Sequence, residues 1–429
     1  MYENLKGKRL LFLGGIRILC DAVKMAKAMG IYTIVTDYLP DSPAKKIADA
    51  SYMVSTTDVD AVVELCKREK VDGVFTAFID SMLPYARQIC DRLGLPFYAS
   101  EEQIRLSLDK SFFKETCMKY GVPVPADYTA EIQAKGIADA DVCYPVIVKP
   151  IDSSGGRGVT ICANQEELEK AYEYAMSISP GKHVLVEEYA EGVEVTATYT
   201  MKDGVYSLSG FKDKLKSYDH PNITSQMDIL IFPSCHMERY LETVDSHVKD
   251  MLSGIHAVDG TIFLQGIATE QKILFFECGY RPNGACDYRH FSRINGINFM
   301  EMMIAHALTG RMEGYELSQD NPRFPSYILN LNVYSHGGVI GKLDGIERVK
   351  EIPNVELAEY MHDVGETIIE NNTLQQRVFR AVISDRSIAA IQNTIRLIQE
   401  HVSVLDTEGN SMLYLPFDVE RLNQYPDLG

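Results

Sequence analysis

The sequence predicts an α/β domain built on a parallel sheet, followed by an α+β region and a small C-terminal α+β domain. Three observations predict it. Short apolar runs alternate with amphipathic helical segments from Arg9 to Ala99; strand-like runs separated by glycine turns and one helical segment follow from Tyr144; and a polar, proline-bearing stretch, "RMEGYELSQDNPRFP", sets off the last third. Alternating strand and helix signals close as a parallel sheet with helices outside it, whereas strands joined by turns give an α+β arrangement.

The first region reads as strands at "RLLFLGG", "IYTIVTD", "SYMVSTT" and "DGVFTAF", with helices through "RILCDAVKMAKAMG", "DVDAVVELCKREK" and "SMLPYARQICDRLG", and "LPFYA" as a last short apolar run. Gly30 and Gly94 stand where helix C-caps belong. Asp37 ends the second strand about twenty residues past Gly14 and Gly15, the spacing of a dinucleotide site, but the glycines read "GGIRIL" and not GxGxxG. A tight strand-to-helix turn with an acidic strand end fits these residues, as does a nucleotide or substrate crevice. A nicotinamide-dependent dehydrogenase ranks last among the functional readings, because its glycine fingerprint is absent.

Residues 101–120 read as helix up to Gly121, and "VPVPADY" as an extended connector stiffened by two prolines, so a domain boundary falls nearby. Beyond it, "NQEELEKAYEYAMSI" is the helix among the strands. In the last third "SYILNLNVYSHGGVIGKLDGIERV" reads as a hairpin around Gly337 and Gly338, and "RVFRAVISD" and "HVSVLD" as strands. Ile388, Ile391, Ile395 and Ile398 recur at helical spacing and mark a core stripe.

A formal net charge of -18, with no long basic run, argues against a nucleic-acid backbone or an anionic membrane as partner. Nine cysteines lie scattered with no CxxC pair, which suits reduced thiols in a cytoplasm. The opening "LKGKRLLFLGGIRILC" is broken by Gly14, Gly15 and Arg17 and reads as a first strand, not a signal peptide. No apolar stretch reaches the roughly 18 residues of a membrane span.

Three stretches carry chemistry. In "VIVKPIDSSGGRGVT", Pro150 holds Lys149 extended at the strand end, and Ser153, Ser154, Gly155, Gly156 and Gly158 can fold their amides over a phosphate. The loop is not a P-loop, and by itself it fits a flexible hairpin equally well. In "HVLVEEYAEGVEVTATYT" a strand ends at Glu187, Glu188 and Tyr189, with Glu194 beyond. A carboxylate there can bind vicinal ribose hydroxyls and the backbone edge can read adenine, although solvated acids at a strand end look the same. In "GTIFLQGIATEQKILFFECGYRPNGA", Gln265 and Glu277 offer oxygen ligands on adjacent strands, as Mg²⁺ prefers. Arg281 and Asn283 follow, placed to neutralise a transferring phosphoryl group. An ordinary ion pair of Arg281 with Glu277 is the plainer alternative.

Together and in this order, the stretches from Asp109 to about Gly310 resemble the ATP-grasp superfamily, in which two α+β lobes clasp ATP between antiparallel sheets. The resemblance implies that Lys110 and Lys149 reach the nucleotide phosphates and that the loop from Ser153 to Gly158 covers them. It puts Glu187, Glu188, Tyr189 and Ala190 on adenine, Glu194 on ribose, Lys214 of "FKDKLKS" near the γ-phosphate, and Gln265 and Glu277 on Mg²⁺, with Mn²⁺ as a substitute. The family's Glu-x-Asn-x-Arg reads Glu277-Cys-Gly279-Tyr-Arg281 here, so the asparagine is missing unless Asn283 replaces it. Gln265, where many members carry glutamate, is similar to the carbamoyl-phosphate synthetase large subunit. The implied division is an N-terminal domain over 1–108, an ATP-grasp domain over 109–314 with lobes 109–186 and 187–314, and a lid-like C-terminal domain over 315–429.

The implied chemistry is activation of a carboxylate as an acyl phosphate with release of ADP, then displacement of phosphate by an amine. Small-molecule carboxylate and amine substrates are the implied partners, and analogy implies a homodimer. Bicarbonate activation through carboxyphosphate is the nearer alternative, and a non-catalytic ATP-binding protein the farther. No nucleophilic cysteine is expected: Cys278 and Cys286 read as small apolar fillers, and His290 as a packing residue in preference to a base for the amine.

Overall fold

The computed structural model describes residues 2–151, 158–217 and 226–428. Strands β1 (Arg9–Leu13), β2 (Tyr32–Thr36), β3 (Ala50–Tyr52) and β4 (Gly73–Phe75) form a parallel sheet in the order β3-β2-β1-β4. Leu10, Leu11, Phe12 and Leu13 are all buried, because the sheet is covered on both faces. Helices Val59–Glu69 and Leu83–Leu93 cover one face. The other packs Cys20–Ala28 against the apolar helix Phe299–Thr309, so one core joins this domain to a segment nearly three hundred residues away. "LPFYA" forms no strand. Asp37 turns its carboxylate onto the Gly15 amide at 2.7 Å and the Leu39 amide at 2.8 Å. The strand-to-helix turn is thus closed by the side chain that a dinucleotide would otherwise need.

The helix expected over 101–120 is two helices, Glu101–Leu108 and Lys110–Lys119, broken where Asp109 turns extended and caps the second by accepting from the Phe112 amide at 3.0 Å. A small antiparallel sheet follows, ordered β6-β5-β7 from β5 (Val146–Pro150), β6 (Thr160–Cys162) and β7 (Val184–Glu188), with helix Gln165–Ile178 packed on its apolar face.

Strands β8 (Val193–Lys202), β9 (Val205–Leu215), β10 (Ile229–Phe232), β11 (Gly260–Ala268), β12 (Ile273–Gly279), β13 (Tyr327–Tyr334), β14 (Gly338–Asp344), β15 (Val355–Tyr360), β16 (Thr367–Ile368), β17 (Arg377–Asp385) and β18 (Ser403–Asp406) complete the chain. Eight of them make one sheet, β12-β11-β8-β9-β10-β13-β17-β15, which runs without a break across residue 314. Helices beyond the one expected, including Met237–Thr243, Asp245–Gly254, Asp287–Ile294 and Phe299–Thr309, pack on this sheet or between it and the first domain. The segment around Gly337 and Gly338 is not a hairpin: β13 pairs with β10 and β17, while β14 leaves for a three-stranded sheet with β16 and β18. A turn signal fixes where a chain bends but not which strand it then meets. Ile388, Ile391, Ile395 and Ile398 are buried along helix Ile388–His401.

The large sheet has an apolar face and a polar one, because side chains alternate along each strand. Val195, Ala197 and Tyr199 point into the core beneath the two helices at 237–254. Glu194, Thr196 and Thr198 of β8, with Lys212 and Lys214 of β9, stand on the opposite face beside Gln265, since Gln265 pairs with Thr196 and Lys214 with Glu194.

Candidate active site

The site forms where the small sheet faces the polar side of the large one. Lys149, at the end of β5, is buried and pairs with Glu187 of β7 at 2.5 Å. Its ammonium also lies 5.7 Å from the Phe276 ring centroid, beside Glu277 on β12. A lysine from one lobe therefore reaches the metal-type carboxylate strand of the other. Lys110, at the first position of its helix, feels both carboxylates and both neighbouring lysines: burial pulls its pKa down, Glu277 and Glu187 pull it up, and Lys149 and Lys114 push it down again.

Lys114 is a member that the sequence reading missed. It sits one helical turn past Lys110, is 3% exposed, and bridges Glu187 and, at 3.2 Å, Asp127. The i, i+4 spacing from Lys110 was the available signal. Glu187 thus turns its side chain inward between two lysines. Glu188 holds Ala126 through its backbone and its carboxylate, at 2.9 and 3.2 Å, and Tyr189 donates its amide to Pro145 at 3.1 Å, with Ala190 next in the chain. Ser153, Ser154, Gly155 and Gly156 lie outside the described residues. Gly158 has φ +81°, and a Cβ there would stand 2.8 Å from Pro150 Cγ, so the return of the loop needs glycine.

On the large sheet Lys214 donates to Glu194 at 2.6 Å and to Gln265 Oε1 at 2.5 Å. Glu277 stands directly across from Gln265 in the β11–β12 register. Two half-exposed oxygen donors on adjacent strands, with lysines around them, fit a divalent cation that keeps water and phosphate in its remaining positions.

Arg281 is not paired with Glu277. Its guanidinium forms an ion pair with Asp80, which follows β4 of the first domain, and lies 5.1 Å from the Phe263 ring. Asn283 commits its carboxamide to Asp287 at 2.6 Å and to the Ala285 amide at 3.1 Å. The missing asparagine has a steric cause: a Cβ at Gly279 would run into the edge of the Phe263 ring. Asp287, fully buried, also takes both contacts of Lys212 at 2.6 Å. Burial pulls the Lys212 ammonium down, opposed first by that carboxylate. His290 packs against Phe232 and meets Asn330 at 3.1 Å, and burial lowers its pKa to about 4. The Cys278 thiol is driven up by burial, which suits the filler reading.

A second cluster, Asp213, Cys235 and His236, has metal-type spacing, with ligand atoms within 4.8 Å of one another. Asp213 already accepts from Ser234 Oγ, the Cys235 amide at 2.9 Å and the Tyr425 hydroxyl at 2.7 Å, which makes it a buried tie for the C-terminal segment.

Residues 109–204 match the carbamoyl-phosphate synthase L chain ATP-binding domain family, and residues 10–93 the PylC-like N-terminal domain family. The chain is also similar to the crystal structure of an L-amino acid ligase from Bacillus licheniformis. It has 18% identity to that structure and a TM-score of 0.76, covering 94% of this chain and 99% of that one. The chain has the ATP-grasp fold. The ATP-grasp chain also resembles the carbamoyl phosphate synthase large chain of Agathobacter rectalis, with 24% identity over 82% of this chain and 32% of that one. A formate-dependent phosphoribosylglycinamide formyltransferase of Sulfurisphaera tokodaii is 30% identical over 43% of this chain and 47% of that one. The ATP-grasp chain thus spans a third to a half of the length of these curated relatives. Among its described residues no helix is long and apolar enough to cross a membrane.

Proposed function

We propose that the protein is an ADP-forming ligase that activates a small-molecule carboxylate with ATP and joins it to an amine, in the cytoplasm and as a homodimer. The observation that carries this reading is the meeting of Lys110, Lys149 and Glu277 from both lobes beside the Lys214–Gln265 contact. ATP lies between the lobes in this reading, with Glu187 to Ala190 at the base and Glu194 at the ribose. The domain division at 108 and 314, with the lobes meeting at 186, accompanies it. Gln265 and Glu277 would hold Mg²⁺, or Mn²⁺, which supplies charge neutralisation on the phosphates.

Catalysis by this chain is positioning and electrostatics. Lys110 and Lys149 hold the phosphates. Lys214 faces the γ-phosphate as a carboxylate oxygen attacks phosphorus and the bond to ADP breaks. The amine then attacks the acyl carbon and phosphate leaves. Arg281 and Asn283 act as the wall of the acyl site: Arg281 offers its charge to the acyl phosphate when it lets go of Asp80, and Asn283 fixes the turn through Asp287. Lys149 likewise exchanges Glu187 for phosphate, while Lys114 keeps Glu187 neutralised.

Phosphate release from Mg-ATP across carboxylates paired with amines, plus bicarbonate, tests the reading, with Glu277→Ala as control. Release that needs one acid and amine pair and vanishes in the control supports it. Bicarbonate-dependent release would move the protein to carboxyphosphate chemistry, the alternative favoured by the match of residues 109–204. ATP binding without release on any acceptor would leave a nucleotide-binding protein.

A further inference from the structure

Asp213 is a carboxylate on the apolar face of the large sheet. Along β9 it stands between Lys212 and Lys214, so it points away from the candidate active site, on the same side as its register partner Val195. It is fully buried, and among the described residues no lysine or arginine pairs with it. Its oxygens accept from neutral donors: Ser234 Oγ, the Cys235 amide at 2.9 Å and the Tyr425 hydroxyl at 2.7 Å. A buried carboxylate held without a counter-charge is costly.

Two further ligand groups meet it. Cys235 and His236 belong to the turn that leads from β10 into helix Met237–Thr243, and the ligand atoms of Asp213, Cys235 and His236 lie within 4.8 Å of one another. His236 Nε2 is buried with no hydrogen-bond partner among the described residues, while Nδ1 faces Arg239 Nη2 at 3.3 Å. One ring nitrogen is thus free beside a thiol and a carboxylate. We propose that Asp213, Cys235 and His236 bind a zinc ion that fastens the C-terminal segment to the back of β9. The proposal does not depend on the ligase reading.

Carboxylate oxygen, thiolate sulfur and imidazole nitrogen are ligands that zinc takes, and a water or the Tyr425 oxygen fills the fourth position. Charge balances, because the Asp213 carboxylate and a Cys235 thiolate cancel the two charges of Zn²⁺ and the thiol proton leaves to solvent. Burial and Asp213 otherwise hold that proton on sulfur; a dication at the same place reverses the preference. Zinc on Nε2 moves the imidazole proton to Nδ1, so Arg239 gives up His236 and keeps the Glu270 carbonyl, to which it donates at 2.8 Å. Ligand atoms around tetrahedral zinc stand roughly 3.3–3.8 Å apart, so the cluster closes by about 1 Å through the half-buried Cys235 and His236 side chains.

The test uses the full chain, stripped with a chelator, kept reduced with a phosphine, and titrated with Co²⁺ and then Zn²⁺ in the absence of nucleotide and magnesium. One equivalent of Co²⁺ should give a thiolate-to-cobalt charge-transfer band that Zn²⁺ abolishes, and Zn²⁺ should raise the melting temperature. Cys235→Ser should lose both effects and bind Zn²⁺ about 100-fold or more weakly. His236→Gln should do the same, and it is the variant to read if Cys235→Ser does not fold. Glu277→Ala should keep the band, because the proposed magnesium site lies on the other side of the chain's large sheet. No band in the wild type, or a band that survives both ligand variants, overturns the proposal and leaves the cluster a hydrogen-bonded tie. A band lost in Glu277→Ala would put the metal beside Cys278 instead and overturn it equally.

Discussion

Lys214 touches Glu194 and Gln265 at once, at 2.6 and 2.5 Å, and so ties β9 to its neighbour β8 and, across it, to β11. A half-buried ammonium shared by a carboxylate and a carboxamide is already fixed before any phosphate arrives. Fixed cations act on developing charge without reorganising. Lys214→Met should lower the rate of phosphate release about 100-fold or more while nucleotide affinity moves only a few-fold. Steady-state kinetics with direct ADP titration separates the two; a loss confined to affinity would remove Lys214 from the transfer step.

Gly279 and Phe263 explain why the usual asparagine is absent, and they predict a coupled pair. Gly279→Ala places a methyl against the rigid Phe263 ring and should cost about 1–3 kcal/mol of stability by overpacking. Phe263→Leu in the same chain should recover much of that loss. Urea denaturation of the four combinations measures the coupling, and simple additivity would mean that the ring moves aside freely.

Much of this arrangement was legible in the sequence, for physical reasons. Lys149, Gln265 and Glu277 sit in or at the end of strands whose apolar runs are readable by eye, and Lys110 follows a helix-capping aspartate. Asp80 as the partner of Arg281 was not legible: the two are 201 residues apart, and only packing of the first domain brings them together. The same holds for β13 to β17, whose pairing depends on which sheet edge is free and not on the glycine turn between them. The break at Asp109 went unread although its signal is local, since an aspartate followed by a helix is an N-cap signal.

Lys114 and Glu187 are 3% and 1% exposed, so their ion pair is shielded from water. Truncating one partner of such a pair leaves a buried charge behind. Lys149 still faces Glu187, which limits the damage. Lys114→Met should therefore destabilise the protein by about 3 kcal/mol, at the lower end of the usual range for a broken buried pair. Denaturant unfolding reads this directly, and a loss below about 1 kcal/mol would show that Lys149 alone suffices.

His290 gives the protein a pH dependence of known sign. Burial holds its folded pKa at about 4, against 6.5 for an ordinary histidine, with Asp287 opposing the fall and Lys212, Arg380 and Arg289 adding to it. Between those values the unfolded chain takes up a proton that the native state refuses, so stability rises with pH there. Above pH 6.5 the imidazole is neutral in both states and contributes no slope. Acidification from pH 6.5 towards 4 should accordingly remove on the order of 3 kcal/mol through this residue. His290→Asn keeps a polar group facing Asn330 but cannot titrate. Its unfolding free energy should fall less steeply than that of the wild type over this window, and parallel curves would assign the acid sensitivity to other groups.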